Sequence, residues 1–241
     1  MIDSLLRFDN SIYIAGLYGF RQGSFAGLGI SGNVSGSSNF DRMSGTAISN
    51  SVKYAMPAIG GFTGGALYSF GGVPGSIAQN NGNSFGLNYA MGAFSAGAAY
   101  TYQRYAVPDG GIAGIRNFGA GLDYRFDKLG IDFLYTNTKN TANDATINVY
   151  QIGARYQATS AFSFGGSYQL MKGNAALSSD KAHQFTAGAR YALSKTTVTY
   201  VEIVYQKASG DDDPHAWIMA VPKASSNDKQ LLARVGLLKR F

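Results

Sequence analysis

The stretch Phe118-Gly-Ala-Gly-Leu-Asp-Tyr-Arg-Phe126 changes the kind of side chain at every position. Successive side chains of a β-strand point to opposite faces of its sheet. The stretch therefore predicts a strand with an apolar face and a polar, glycine-rich face. The apolar face would carry Phe118, Ala120, Leu122, Tyr124 and Phe126, and the other Gly119, Gly121, Asp123 and Arg125. One such strand fits a soluble β-sandwich as well as a membrane-spanning sheet.

The same alternation recurs along the chain. In 150–156 an apolar set, Tyr150, Ile152, Ala154 and Tyr156, alternates with Gln151, Gly153 and Arg155. Segments 162–169 and 185–191 repeat the pattern. Tyrosine or phenylalanine often ends the apolar face, where the aromatic girdles of a membrane interface lie.

Eleven segments carry this signal. They are 47–57, 61–71, 83–91, 94–105, 115–127, 130–138, 146–158, 162–172, 182–193, 196–207 and 229–241. Short connections (57–60, 91–93, 127–129, 159–161, 194–195) alternate with long ones (72–82, 106–114, 139–145, 173–181, 208–228). Alternating turns and loops are typical of a transmembrane antiparallel β-barrel, with short periplasmic turns and longer extracellular loops.

Composition agrees with an all-β membrane protein. Only 14% of the 241 residues are charged, well below the roughly 25% of soluble proteins. No run approaches the roughly 18 apolar residues of a transmembrane helix, and mean hydropathy is −0.07. The chain has no cysteine, which excludes disulfides and cysteine-ligated metals. Its net charge of +6 is scattered singly, which argues against a nucleic-acid partner.

The number of segments predicts an incomplete barrel. Complete bacterial barrels have an even number of strands, whereas eleven is odd. Residues 1–46 are then expected to be an extracellular connection, and 47–241 the C-terminal strands. The acidic start Met1-Ile-Asp lacks the basic and apolar regions of an export signal. We therefore expect a chain that begins after such a signal, or a fragment without one.

Several stretches resemble the general porins of β-proteobacteria. They are Asn50–Phe62, continuing at Gly65–Gly71, the AGARY sequence Ala187–Tyr191, and the terminal Val235–Phe241. The resemblance starts directly after the family's constriction loop three and covers nearly all of 47–241. No PEFGG-like acidic loop motif is present, and the first five strands of the family are missing.

The resemblance implies a fold, a location and a function. The fold would be an outer-membrane barrel with eleven of its sixteen strands in this chain, and the complete protein would be a homotrimer. The function would be a water-filled channel for passive diffusion of small hydrophilic solutes and ions, without cofactor, metal or catalytic residue. Residues 1–46 would be the remainder of loop three, with Asp3–Asp9 as its short helix.

The polar faces carry charged residues that would line the passage: Lys53, Arg125, Arg155, Arg190, Arg234, Asp123, Asp132 and Glu202. Positive charge is in excess, and fixed basic charge in a narrow passage favours anions. The sequence therefore predicts weak anion preference. The alternative is that these groups pair with each other along a wide lumen and leave selectivity to the absent strands.

The last segment ends on an aromatic residue and has apolar alternate positions. Phe241, Val235 and Leu231 therefore match the signal by which, as the resemblance implies, the barrel-assembly machinery recognises a C-terminal strand. The alternative is ordinary strand composition.

Two other function classes stay open. An outer-membrane barrel hydrolase needs a proton shuttle near neutral pH, for which the chain offers only His183 and His215. No nucleophile elbow or paired-histidine metal motif is present. The run Asp211–Asp213 beside His215 fits a solvated acidic loop better than a cation site. A structural or adhesive barrel with a plugged lumen is the third class.

Overall fold

The computed structural model describes residues 50–108, 110–211, 213–218 and 224–239. They form one antiparallel sheet in which each strand is hydrogen-bonded to the next along the chain. The strands are β1 (Ser51–Ile59), β2 (Phe62–Ser69), β3 (Gly82–Met91), β4 (Phe94–Ala106), β5 (Ile112–Phe126), β6 (Leu129–Asn140), β7 (Thr146–Gln157), β8 (Phe162–Gly173), β9 (Lys181–Ser194), β10 (Thr197–Ser209) and β11 (Lys229–Lys239). The predicted all-β class is confirmed. No helix in these ranges is long and apolar enough to span a membrane.

Tight turns join the strands at one end of the sheet. Gly60 and Gly61 connect β1 to β2 with φ of 57° and 86°, the left-handed backbone that hairpin turns require. A Cβ on Gly61 would lie 2.7 Å from the Ala90 carbonyl oxygen, so a larger residue has no room there. Asp127 fills the equivalent role after β5, with φ of 47°.

The first predicted turn, 57–60, was wrong in one respect. Pro57 lies inside β1, where the pairing with β2 shifts between Met56 and Ile59. Proline has no backbone N–H to donate, and sheets accept it in edge strands and at bulges. β1 is an edge strand of this sheet, so both conditions are met.

The exposed face of the sheet is apolar, whereas the other face carries most of the polar side chains together with a buried aliphatic cluster that includes Ile147, Val149 and Met171. On the first face, called here the apolar face, Leu122 is 43% and Ile152 54% exposed. On the opposite, polar face, Asp123 is 1% and Gln169 0% exposed. Soluble proteins bury their large apolar side chains, whereas a sheet with a continuous exposed apolar face is suited to hydrocarbon. The predicted faces of Leu122, Ile152 and Ala187 agree with this arrangement.

Aromatic rings on the apolar face gather toward both ends of the strands. At the short-turn end Phe62 contacts Tyr89 at 4.6 Å between ring centroids. At the other end Phe85 stacks on Tyr100 at 5.1 Å. Further cross-strand pairs are Tyr156–Phe164, Tyr135–Tyr150 and Tyr168–Phe185. Two aromatic rows with aliphatic residues between them correspond to the two interfaces of a bilayer.

β1 and β11 are the two edges of the sheet, and within the described residues they do not pair with each other. In an antiparallel series of eleven strands the first and last run in the same direction. The sheet therefore has the odd parity that the sequence predicts. The expectations for residues 1–46, including the helix at Asp3–Asp9, lie outside the described residues.

Candidate functional site: the charged polar face

The predicted charged residues lie on the polar face of the sheet, and four of them share one row across the strands. Cross-strand register runs from Arg125 through Gly130 to Arg155, then through Gly165 and Gly188 to Glu202 and Arg234. Asp123 and Asp132 face each other two residues farther from the short turns, at the next position on the same face. The strand pairing thus gathers charges that are distant in sequence.

Two arginines of this row hold one buried carboxylate, that of Asp123. Arg155 donates from Nη2 to Oδ2 of Asp123 at 2.9 Å, and Arg125 Nε lies 3.3 Å from Oδ1. The Asp123 side chain is 1% exposed. A buried carboxylate is tolerated where cationic donors satisfy its oxygens. The charges of this part of the polar face are therefore partly neutralised.

Glycines on the neighbouring strands make room for these side chains. A Cβ on Gly130 would lie 2.8 Å from Arg155 Nε, and one on Gly153 would lie 2.7 Å from Asp132 Oδ2. The charged side chains thus lie flat along the polar face, over the glycines of adjacent strands. This packing explains why glycine alternates with charged residues on the polar face of the strands.

A second ion pair joins β10 and β11. Arg234 Nε donates to Oε2 of Glu202 at 2.7 Å, and its guanidinium lies over the Tyr200 ring at 5.3 Å. The Glu202 side chain is fully buried, whereas Arg234 is 34% exposed. Arg190 is opposite Tyr200 in the register, and Lys53 is exposed on edge strand β1, opposite Leu67.

Sequence reasoning missed a row of five glutamines, one on each strand from β7 to β11. Gln151, Gln169, Gln184, Gln206 and Gln230 are successive register partners. The first four are at most 1% exposed, and Gln206 Nε2 donates to Gln184 Oε1 at 2.9 Å. The sequence does place a glutamine at a polar position in each of five consecutive strand segments. Only the cross-strand register shows that these five glutamines lie side by side.

The histidines have structural hydrogen-bond partners. His183 Nδ1 lies 2.7 Å from the Tyr168 hydroxyl, and His215 Nδ1 donates to the Ser225 carbonyl at 2.7 Å. His215 Nε2 is 3.7 Å from the exposed carboxylate of Asp213. These contacts do not resemble the nucleophile–base arrangement of a hydrolase. Among the described residues no group of three histidine, aspartate or glutamate side chains is placed to hold a metal.

Asp144 is a carboxylate in a long connection, outside the polar face. Asp144 lies between β6 and β7, and its Oδ1 forms an ion pair with Lys139 Nζ at 2.6 Å. The Asp144 side chain is 77% exposed. The hydrogen bond and charge of Lys139 lower the pKa of Asp144 below its usual value. Asp144 is therefore ionised at neutral pH, away from the charged row.

Two of the three predicted assembly residues, Leu231 and Val235, lie on β11. Leu231 is 68% and Val235 78% exposed, on the face opposite Arg234. Phe241 lies outside the described residues. Strand β11 thus has exposed apolar alternates at Leu231 and Val235, and their recognition by the assembly machinery stays a prediction.

Comparison with known proteins identifies the family. A model of the Gram-negative porin family matches residues 7–211. Outer membrane porin protein 32 of Delftia acidovorans is 30% identical over 172 residues, which are 68% of this chain and 47% of that protein. The chain thus spans about half the length of the curated relative that it matches.

Solved porin structures share the fold. An anion-selective porin from Comamonas acidovorans superposes with a TM-score of 0.70 at 24% identity, over 80% of this chain and 60% of that one. The trimer form of OmpT, an outer membrane protein of Vibrio cholerae, gives 0.57 at 14% identity, over 78% and 64%. Because the family model covers most of the sequence and the strands form the same architecture, this chain belongs to the Gram-negative porin family of outer-membrane β-barrels.

Proposed function

We propose that this chain forms the C-terminal part of a general diffusion porin. Its polar face would be part of the wall of a water-filled channel through which small hydrophilic solutes and ions cross passively. The supporting observation is that, across eleven strands, large apolar side chains are exposed on one face while the charged and amide groups lie on the other. Such a wall works by shape and charge and requires no covalent chemistry.

The partners follow from the same two faces. Outer-membrane lipid would cover the apolar face and its aromatic rows. The complete protein would be a homotrimer, as the solved trimer form of OmpT illustrates for that protein. The barrel-assembly machinery would recognise the last strand through Leu231, Val235 and Phe241.

Passive diffusion predicts a size limit without saturation. Vesicles containing the complete protein should swell in isotonic sugar solutions at rates that fall with sugar size and rise linearly with concentration. Heat-denatured protein is the control. A plugged barrel would give no swelling above this control, and a saturable rate would indicate a specific carrier in place of a general pore.

Weak anion preference is the second part of the proposal. Five basic residues and three acidic ones were assigned to the wall, and ion pairs hold Asp123 and Glu202. The similar porin from Comamonas acidovorans is described as anion-selective. Fixed positive charge that exceeds its counter-charges favours anions in the passage. The reversal potential of the complete protein across a salt gradient should show this preference.

Replacing Glu202 by glutamine should increase the anion preference. The change removes a negative charge beside Arg234 and keeps the shape of the side chain. A unit charge 4 Å from an ion contributes about 1 kcal/mol in water, which limits the change in the permeability of each ion, a rise for anions and a fall for cations, to about fivefold. The measurement is the reversal potential at low ionic strength, where screening is weakest.

Asp144→Asn is the matched control, since it removes an exposed carboxylate from a long connection. It should leave the permeability ratio nearly unchanged. Equal effects of the two substitutions, or a shift toward cations with Glu202→Gln, would contradict the assignment of Glu202 to the passage.

A further inference from the structure

The described part of the connection between β10 and β11, residues 213–218 and 224–228, lies over the polar face. Ile218, which is 1% exposed, packs with Val204 and Leu232. Val204 and Leu232 are cross-strand partners, and they share the face of Glu202 and Arg234. A connection that projected away from the sheet would leave Ile218 in water.

The contact lies deep along the strand. β10 ends at Ser209, five residues beyond Val204, which corresponds to about 17 Å at roughly 3.4 Å per residue. Val204 is close to the middle of this strand of 13 residues. Ile218 therefore reaches the middle of the wall and does not stay at its rim.

Two members of the glutamine row hold the backbone at this depth. The N–H of Trp217 donates to Gln206 Oε1 at 2.6 Å, and the N–H of Ile218 donates to Gln230 Oε1 at 2.5 Å. Buried backbone N–H groups need an acceptor. Here side-chain amides supply it in the way that a neighbouring strand would.

The returning part of the connection is tied to the same segment. The N–H of Ala216 donates to the Asn227 carbonyl at 3.1 Å, and the N–H of Ser225 donates to the Ala216 carbonyl at 2.8 Å. Ala216 is fully buried. The segment His215–Ile218, called here the inner segment, is thus bonded on two sides.

We propose that the inner segment is a fixed constriction that narrows the passage at mid-height, and that Gln206 and Gln230 are its positioning residues. This inference rests on the proposed channel function. A segment lying along the middle of the wall reduces the open cross-section there. Size selection would then depend on this connection in addition to any contribution of loop three.

Trp217 is the only tryptophan in the chain, so its fluorescence reports the position of the inner segment. The complete protein, with any upstream tryptophan replaced by phenylalanine and folded in lipid vesicles, should show weak quenching by acrylamide in water and by brominated acyl chains in lipid. The double variant Gln206→Leu/Gln230→Leu should increase acrylamide quenching. Each lost hydrogen bond raises the ratio of released to bound segment about fivefold.

Gln169→Leu is the matched control, because it changes the same row on β8, two strands from Gln206. Its quenching should stay at the wild-type value. Ile218→Asp keeps both glutamines and places a carboxylate against Val204 and Leu232, so it should also release the segment. This variant tests the proposal if the double variant fails to fold. Strong quenching by brominated chains, or unchanged acrylamide quenching in the folded variants, would overturn the placement.

Conductance of the complete protein separates this inference from the proposed function. Variants that release Trp217 should conduct more current per channel than wild type and Gln169→Leu. Released tryptophan with unchanged conductance would overturn the constriction. Absence of any channel in the wild type would instead overturn the porin function, while quenching as expected would still support the position of the inner segment.

Discussion

Leu122→Arg is expected to prevent normal assembly of the barrel. Leu122 is 43% exposed on the apolar face, between Phe118 and Tyr124 on the same strand, and its register partners are Ala96 and Phe133. An arginine on the lipid face near the bilayer midplane costs about 2–4 kcal/mol. The yield of heat-modifiable folded barrel after refolding of the complete protein into vesicles measures the effect.

Ser95→Arg provides the matched control on the opposite face. Ser95 pairs with Asp123 across β4 and β5, so the new guanidinium would meet an existing carboxylate. This variant should fold in nearly normal yield. Normal yield of Leu122→Arg, or an equal loss in both variants, would show that the assigned face does not contact lipid.

The second large effect concerns β1 and β11, which are the edges of the sheet that the described residues form. β1 and β11 run in the same direction, whereas bacterial barrels close by antiparallel pairing. Each unsatisfied backbone group in hydrocarbon costs several kcal/mol. Exposed edges also promote aggregation. The 241-residue chain alone should therefore give no uniform, long-lived conductance in a planar bilayer.

Five added upstream strands should restore closure. In an antiparallel series of five, the first and last strands run in the same direction, so one can pair antiparallel with β1 and the other antiparallel with β11. Uniform channels should then appear from the extended chain under the same conditions. Stable and uniform channels from the 241-residue chain alone would contradict the interpretation of the sheet as part of a barrel.

Local patterns were sufficient to predict the strands and their faces. Period-two alternation identifies the face of each side chain, and residues such as Gly92, with φ of 59°, identify turns. The predicted segment 94–105 therefore differs by one residue from β4. Pro57 shows the limit of such signals, because its place inside β1 depends on the pairing with β2.

The missed features depend on contacts between distant residues. Gln151 and Gln230 each appeared as a polar alternate, but their common row requires the registers of four strand pairs. Similarly, 208–228 was expected to be only a long polar loop. Its inward course depends on the packing of Ile218 against Val204 and Leu232, which no periodicity in the connection indicates.

The central claim is that one face of the sheet contacts lipid and the other lines an aqueous passage. This chain has no cysteine, so once any upstream cysteine is replaced by serine, nitroxide labels can be attached to the complete protein at single cysteines introduced along β9, at positions 187, 188, 189 and 190. Labels at 187 and 189 should be more accessible to oxygen, which concentrates in lipid, and those at 188 and 190 to a water-soluble nickel chelate. Equal accessibility at all four positions, or the reverse alternation, would contradict the account.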